Sequence, residues 1–501
     1  MDDGFTRSCD GEVTGKGLRR EYSMKPALAL IALTLGSIAT DILAQRSAEP
    51  LQIGNQLQLF VDDYLIDSMS GVELSLQAPQ PAGVAIQFDK PWEGNTSAYV
   101  SVIQDGGKYR MYYRGAAAPD YARRSALKPG EILQPEHRNL TCYAESADGI
   151  TWNKPSLGIV DFNGSRDNNI VFDGGEASEN FSPFVDKNPL APASERYKAV
   201  GGGGKGLFAF KSVDGIHWEK MTAQRILTDG LFDSLNVVFW DAGRKEYVAI
   251  YRAYLMGVRT LKHATSKDFL HWTQGELADY GDAPMEQLYT NATVSYFRAP
   301  QIYLAFPKRY VPWRHIFEDD PQHAGVSEAV FMSTRDGVHW DRRFLEAFIR
   351  PGRDPLDWVH RNHMVATGML QTAPDELSIF VSRHYTYPSA YLERMTLRLD
   401  GFVSVHAGYH GGALTTKPFI FDGHKLVLNY ATSAVGSIQW ELLDANGSSF
   451  PGFGFEQTKP LSGDEIEHVI EIKTPQHLET RPLRLHFLLK DADLYSLQIR
   501  K

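Results

Sequence analysis

The chain has 501 residues, with 61 acidic and 51 basic side chains and a formal net charge of -10. That balance argues against a broad basic face for a nucleic-acid backbone. Two cysteines, Cys9 and Cys142, exclude a disulfide framework and a cysteine zinc site.

The first 23 residues are polar and patternless, and read as a leader upstream of a second start at Met24. From there Lys25 precedes an apolar run over 27–39, and Ile42-Leu43-Ala44 offers a small residue for cleavage. A basic flank, a short apolar core and such an end predict a signal peptide over 24–44, hence a secreted or periplasmic bacterial protein. The run is too short to span a bilayer comfortably. Residues 45–89 form a lead-in, and its segment 57–65 is expected to supply a ring-closing strand.

A motif then recurs four times. It reads Ser146-x-Asp148-Gly149-x-x-Trp152, Ser212-x-Asp214-Gly215-x-x-Trp218, Ser266-x-Asp268-Phe269-x-x-Trp272 and Thr334-x-Asp336-Gly337-x-x-Trp340. The hydroxyl and Asp suit turn amides, Gly suits a positive φ, and Trp suits packing between sheets. Each copy sits at the same place in a unit of strand, turn, strand, loop, strand, motif, short strand. A fifth unit over 364–399 keeps the outline without the motif. Repeats of roughly 55–70 residues, strand-patterned throughout, predict an all-β chain: a five-bladed β-propeller over 90–405. Cys142 falls in one of its strands as a buried, inert thiol, and the run Gly201 to Gly204 reads as a tight turn. After Gly408, short strands over 425–430, 437–443, 469–472 and 483–489, with turns at Asp422-Gly423 and Asn446-Gly447, predict a small C-terminal β-sandwich over 406–501.

These repeats, above all Ala264-Thr265-Ser266-Lys267-Asp268-Phe269-Leu270-His271-Trp272, resemble the five-bladed β-propeller glycosidases, the invertase, levanase and arabinanase superfamily. The resemblance implies a glycoside hydrolase with its site at the mouth of the central funnel, and a structural calcium as in some arabinanases. The Asn-Asp-Pro-Asn-Gly and Glu-Cys stretches of invertases are missing from the corresponding blades, and Arg353-Asp354-Pro355 lies before the fifth blade, away from the place the invertase motif holds.

Glycoside hydrolysis uses two carboxyl groups, so acids at the entrances of inner strands are the candidates. Asp233 leads, flanked by Phe232 and Leu235, with a turn role as its alternative. Glu93 follows, then Glu286; the second unit offers Glu179 and Asp186, the latter with a β-turn role preferred, and Glu328 stands in reserve. Arg298, Arg309, Arg361 and His363, with Asn291 and Trp92, are the candidate sugar-binding residues. A basic group beside the funnel, which also includes Lys308, Arg314 and His315, suggests an acidic sugar; pairing with Glu318, Asp319 and Asp320 is the alternative. His315, His323 and His363 show no metal-ligand spacing, and no cofactor is expected beyond that calcium. The expected partner is a carbohydrate, with no nucleic acid and no membrane span after signal removal. A glycoside phosphorylase and a non-catalytic glycan-binding propeller are the competing functions.

Overall fold

A computed structural model describes residues 49–118, 135–314, 325–472 and 481–501. The leader, the signal segment, Cys9, His315, Glu318, Asp319, Asp320 and His323 lie outside the described residues. Among the described residues the chain is nearly all β, interrupted by short 3-10 turns, and no helix is long and apolar enough to cross a membrane.

Small antiparallel sheets follow one another along the chain. Sheet one orders Ala98–Asp105, Lys108–Gly115, Leu140–Ser146 and Ile170–Phe172. Sheet two orders Ser182–Val185, Tyr197–Gly203, Gly206–Ser212 and Glu219–Lys220; sheet three orders Val237–Asp241, Glu246–Leu255, Val258–Ser266 and Glu276–Leu277. The fourth unit is broken across its middle into two ladders, one on Lys308–Val311 and one on Tyr303–Ala305. Sheet five orders Leu370–Ala373, Glu376–Arg383 and Tyr391–Arg398, and takes its last strand, Gln80–Gln87, from the lead-in. The lead-in strand that completes sheet five is therefore Gln80–Gln87 and not 57–65.

Covered faces explain why these strands lack clean alternation. Seven consecutive residues, Tyr247 to Ala253, are buried in Glu246–Leu255, because neighbouring sheets cover both sides. The repeat motif makes the covering surfaces. Ser146 Oγ accepts from the Gly149 amide at 2.8 Å, and Asp148 Oδ1 accepts from the amides of Ile150 and Thr151, both at 2.8 Å. The fourth motif position is left-handed in every copy: Gly149 at φ 74°, Gly215 at 76°, Phe269 at 70° and Gly337 at 85°. That turn aims each Trp at the preceding sheet. Trp218 packs on Tyr112 of sheet one, Trp272 on the sheet-two cluster, Trp340 on the sheet-three cluster, and Trp152 on Phe380 of sheet five. The contacts run in one cyclic order. Between sheets one and five the backbones also join: the Val102 amide donates to Thr367 O at 2.8 Å and the Thr367 amide to Val100 O at 2.9 Å. Gly368 permits that approach, since a Cβ there would stand 2.1 Å from Val102 O.

The C-terminal strands pair differently from the expected self-contained unit. Two long strands, Lys425–Asp444 and Leu483–Arg500, pair with each other and with shorter neighbours in one ten-stranded sheet. Four of those neighbours come from the lead-in: Leu51–Gly54, Gln58–Leu59, Ile66–Ser70 and Glu73–Leu76. Ile53, Phe60, Leu65 and Ile66 share one apolar core with Leu426, Trp440, Phe487 and Leu497. The stretch 57–65 is thus shared: Phe60 and Leu65 face this core, while Leu57, Leu59 and Val61 pack with Leu304, Phe331 and Leu377 of the fourth and fifth units. By contrast Asp464–Glu471 alternates exposed and half-buried residues, as a strand with one face in water does.

Candidate functional site

The register that builds the sheets also places a row of cations. In the first four units the motif hydroxyl faces a tyrosine across the ladder: Tyr109 with Ser146, Tyr197 with Ser212, Tyr247 with Ser266, and Tyr303 with Thr334. Five residues beyond each tyrosine stand Arg114, Gly202, Arg252 and Lys308. The second strands of sheets one, three and four so deliver a cation at one equivalent position. Sheet two has Gly202, whose amide donates to Asn180 Oδ1 at 3.0 Å, and Gly201 to Gly204 close the tight hairpin expected of them.

Two acids stand at strand entrances among these cations. Asp233 precedes Val237–Asp241 and pairs with the buried Arg252, its own side chain half exposed. Glu179 precedes Ser182–Val185. Burial raises the Glu179 carboxyl above its ordinary value; Arg114 pulls it down, Asp233 pushes it further up, and Arg361 and Arg252 pull it down again. Glu179 and Asp233 therefore share one electrostatic neighbourhood with three arginines.

Aromatic side chains fill the space between the charges. Arg114 Nη2 donates to Thr96 O at 2.8 Å and to the Tyr385 hydroxyl at 3.1 Å, and its guanidinium lies 4.6 Å from the Tyr99 ring centre. Burial pushes the Tyr385 phenol up, but Arg114 and Arg361 outweigh it and hold the group below its ordinary value. Asn362 Oδ1 accepts from the Tyr385 amide at 2.6 Å. Around Tyr289, Lys308 Nζ stands 4.0 Å from the ring centre, Arg252 at 4.9 Å and Arg259 at 5.3 Å. Tyr99, Arg361, His363 and Thr386 all have left-handed backbones, at φ 55°, 73°, 60° and 80°. Such residues cost of order 1–3 kcal/mol each and collect at functional sites.

The remaining expected residues are engaged as follows. Glu93 is 2 % exposed, and Tyr113, Lys154 and the Lys90 amide take its oxygens. Trp92 Nε1 donates to Asn169 at 2.6 Å and the ring packs in the sheet-one core. Glu286 lies between Arg309 and Arg342, and Arg309 also pairs with Glu328 at 2.5 Å. These four form an ion network on the fourth unit. Arg298 joins Asp400 at 3.0 Å and Glu467 at 2.9 Å, tying the fourth unit to the C-terminal sheet. Asn291 stitches strands together, donating to Leu235 O and Ile250 O. Asp186 is held by Lys198 and Tyr247. His363 is fully buried, its Nδ1 2.9 Å from Ser327 O, and burial, then Arg383, push it down to about 3. Of the sugar-binding candidates, Arg361 is the one whose charge acts on Glu179 and Tyr385.

Arg353 and Asp354 line a cleft of about 560 Å³ that shares no lining residue with the Glu179–Asp233 cluster. Among the described residues no three His, Cys, Asp or Glu side chains come together as metal ligands.

Glu179 was legible as an acid at a strand entrance. Arg114, Arg252, Arg259, Tyr99, Tyr289 and Tyr385 were missed. Their signal is the shared register: counting five from the tyrosine opposite each motif hydroxyl finds Arg114, Arg252 and Lys308 together.

No family model matches the chain, and no curated protein matches it. Similar solved structures include a protein described as a glycoside hydrolase, at 14% identity over 64% of this chain and 92% of that one, with a TM-score of 0.44. A beta-1,2-mannobiose phosphorylase from Listeria innocua aligns at 12% identity, over 65% and 97% of the two chains, with a TM-score of 0.42. An arabinoxylan arabinofuranohydrolase of glycoside hydrolase family 43 from Bacillus subtilis aligns at 13% identity, over 84% and 99%, with a TM-score of 0.40.

Proposed function

We propose that the chain is a secreted glycoside hydrolase acting on an acidic poly- or oligosaccharide. In this reading the cyclic sheets are a five-bladed propeller, the ten-stranded sheet is its companion sandwich, residues 24–44 are a cleaved signal, and residues 1–23 are not part of the mature protein. Glu179 is the general acid and Asp233 the base or nucleophile; Glu93 and Glu286 are structural.

One observation carries the reading: a carboxyl raised by burial stands within the field of a second, half-exposed carboxylate at the next strand entrance. Two acids whose surroundings differ in this way are what acid and base roles require at one pH. The neighbouring Arg114, Arg252, Arg259 and Arg361 supply forks for a negatively charged sugar, and Tyr99, Tyr289 and Tyr385 supply the apolar and hydroxyl surfaces that sugars use.

The test is turnover on matched acidic and neutral oligosaccharides. Glu179→Gln and Asp233→Asn each lower it by about 10²–10⁴-fold, with circular dichroism unchanged. Wild-type turnover by either variant removes that assignment. Turnover that requires inorganic phosphate replaces hydrolysis by phosphorolysis, and glycan binding without turnover makes the protein a binding module.

A further inference from the structure

Lys308 is the residue this reading leaves without a task. It is 0 % exposed, and its Nζ has no hydrogen-bond partner among the described residues. Arg252 is 3 % exposed; Nη2 pairs with Asp233, while Nε and Nη1 are buried without partners. Arg259 gives Nη1 to Gln287 at 3.0 Å and leaves Nε buried without a partner. All three side chains converge on one ring, that of Tyr289, from three strands in two units.

Two arginines and a lysine can all be charged together inside a protein only at high cost unless an anion joins them. Asp233 neutralises one. No other acid chain pairs with Lys308 or Arg259 among the described residues, and the Tyr289 face is a weak substitute, worth about 0.5–2 kcal/mol. We propose that Arg252, Arg259 and Lys308 form, around Tyr289, a pocket for a single tetrahedral oxyanion, a sulfate or phosphate group. A carboxylate offers two oxygens in one plane. A sulfate or phosphate group offers three terminal oxygens in different directions, one for each arriving cation. The proposal narrows the acidic sugar to a sulfated or phosphorylated one, and so rests on the reading of this cluster as the glycan site. The same chemistry is shared by free inorganic phosphate.

The charge balance gives a second handle. Burial, then Arg361, Arg259 and Arg252, hold the Lys308 amine well below its ordinary value; the other groups facing it are Tyr289 and the neutral His363. An arriving anion reverses that field, so binding draws a proton onto Lys308.

The experiment needs no turnover. Inorganic sulfate and phosphate are titrated calorimetrically into the full chain at constant ionic strength, with chloride as the control, in two buffers of different ionisation enthalpy. The expected result is saturable binding of one anion with proton uptake. Lys308→Met weakens it by about tenfold or more and abolishes the uptake, whereas Lys267→Met, at an exposed site, changes neither. Heat that does not saturate, chloride binding as well as sulfate, or Lys308→Met binding like wild type overturns the pocket. Because Met is apolar and of similar length, that variant is expected to fold, and its thermal transition checks this. Glycan hydrolysis can fail while the anion still binds, and the reverse, so the two readings fall separately. Tighter binding of a sulfated oligosaccharide than of its desulfated form assigns the anion to substrate; turnover that rises with phosphate assigns it to free phosphate.

Discussion

The Tyr113 hydroxyl donates to Glu93 Oε1 at 2.6 Å while Lys154 Nζ closes on Oε2 at 2.7 Å. Side chains from the second strand of sheet one and from the loop after its third strand thereby hold one acid in the wall of the sheet. Burial raises the Glu93 carboxyl despite Lys154, so the pair is a strained asset: valuable as a unit and damaging when halved. Glu93→Gln leaves the half-buried Lys154 with Asp89 at 3.1 Å and Gln87 O at 2.6 Å as its remaining partners. The expected loss is about 1–3 kcal/mol of stability, read by urea denaturation, with turnover per folded molecule near wild type. Full stability with turnover lost would return Glu93 to the chemistry.

The contrast between Glu93 and Glu179 shows what the sequence could and could not convey. Both are acids at strand entrances, and local pattern treats them alike. The difference lies in partners separated by tens of residues: Tyr113 and Lys154 for one, Arg114, Asp233 and Arg361 for the other. The repeat motif was legible because its hydrogen bonds span three to four residues and its Trp is unmistakable. The pairing of Gln80–Gln87 with sheet five was not, because that strand is mostly exposed and carries little apolar signal. The apolar stretch 57–65 drew the assignment instead, although its apolar side chains are divided between the C-terminal core and the core of the fourth and fifth units.

Glu179 sets the expected pH dependence of turnover. An acid catalyst must hold its proton, and burial raises this one above the ordinary carboxyl range. Activity therefore persists above the pH at which a solvated Glu would be ionised, and falls as pH rises through the raised value. In Glu179→Gln that alkaline limb disappears from the kcat profile together with most of the rate. An unchanged limb in the variant would assign it to another group.

Lys308 makes the opposite kind of prediction, on stability. Its folded value is depressed, so the unfolded chain binds more protons wherever pH lies between the depressed value and the ordinary lysine range near about 10.4. Unfolding is then favoured by low pH, and the penalty fades as pH rises toward the ordinary lysine value. Lys308→Met removes the penalty. The variant is expected to melt higher than wild type at neutral pH in chloride buffer, with the gap narrowing as pH rises toward 10 and narrowing also when saturating sulfate is added to wild type. A gap independent of pH would mean that the amine is charged in the folded protein.

Asp148 and its counterparts hold the sheets to one another rather than to a ligand. Asp148 Oδ1 receives two amides and the Ser146 hydroxyl, and those bonds, the Thr151 amide first, lower its carboxyl to about 2. A depressed acid contributes stability that is complete above its ordinary value near 3.8 and is lost as pH falls through the folded value. The group is exposed, so water screens much of the effect. The turn it shapes nevertheless sets the aim of Trp152 onto Phe380, one of the contacts that join the first sheet to the last. Asp148→Ala frees two amides and loosens that contact, at about 1–2 kcal/mol. Asp148→Asn retains an acceptor and loses less. Denaturation of both variants at pH 7 and pH 3 separates the contributions: the Ala variant is weaker at pH 7, and the difference from wild type shrinks at pH 3 as the native carboxyl begins to protonate.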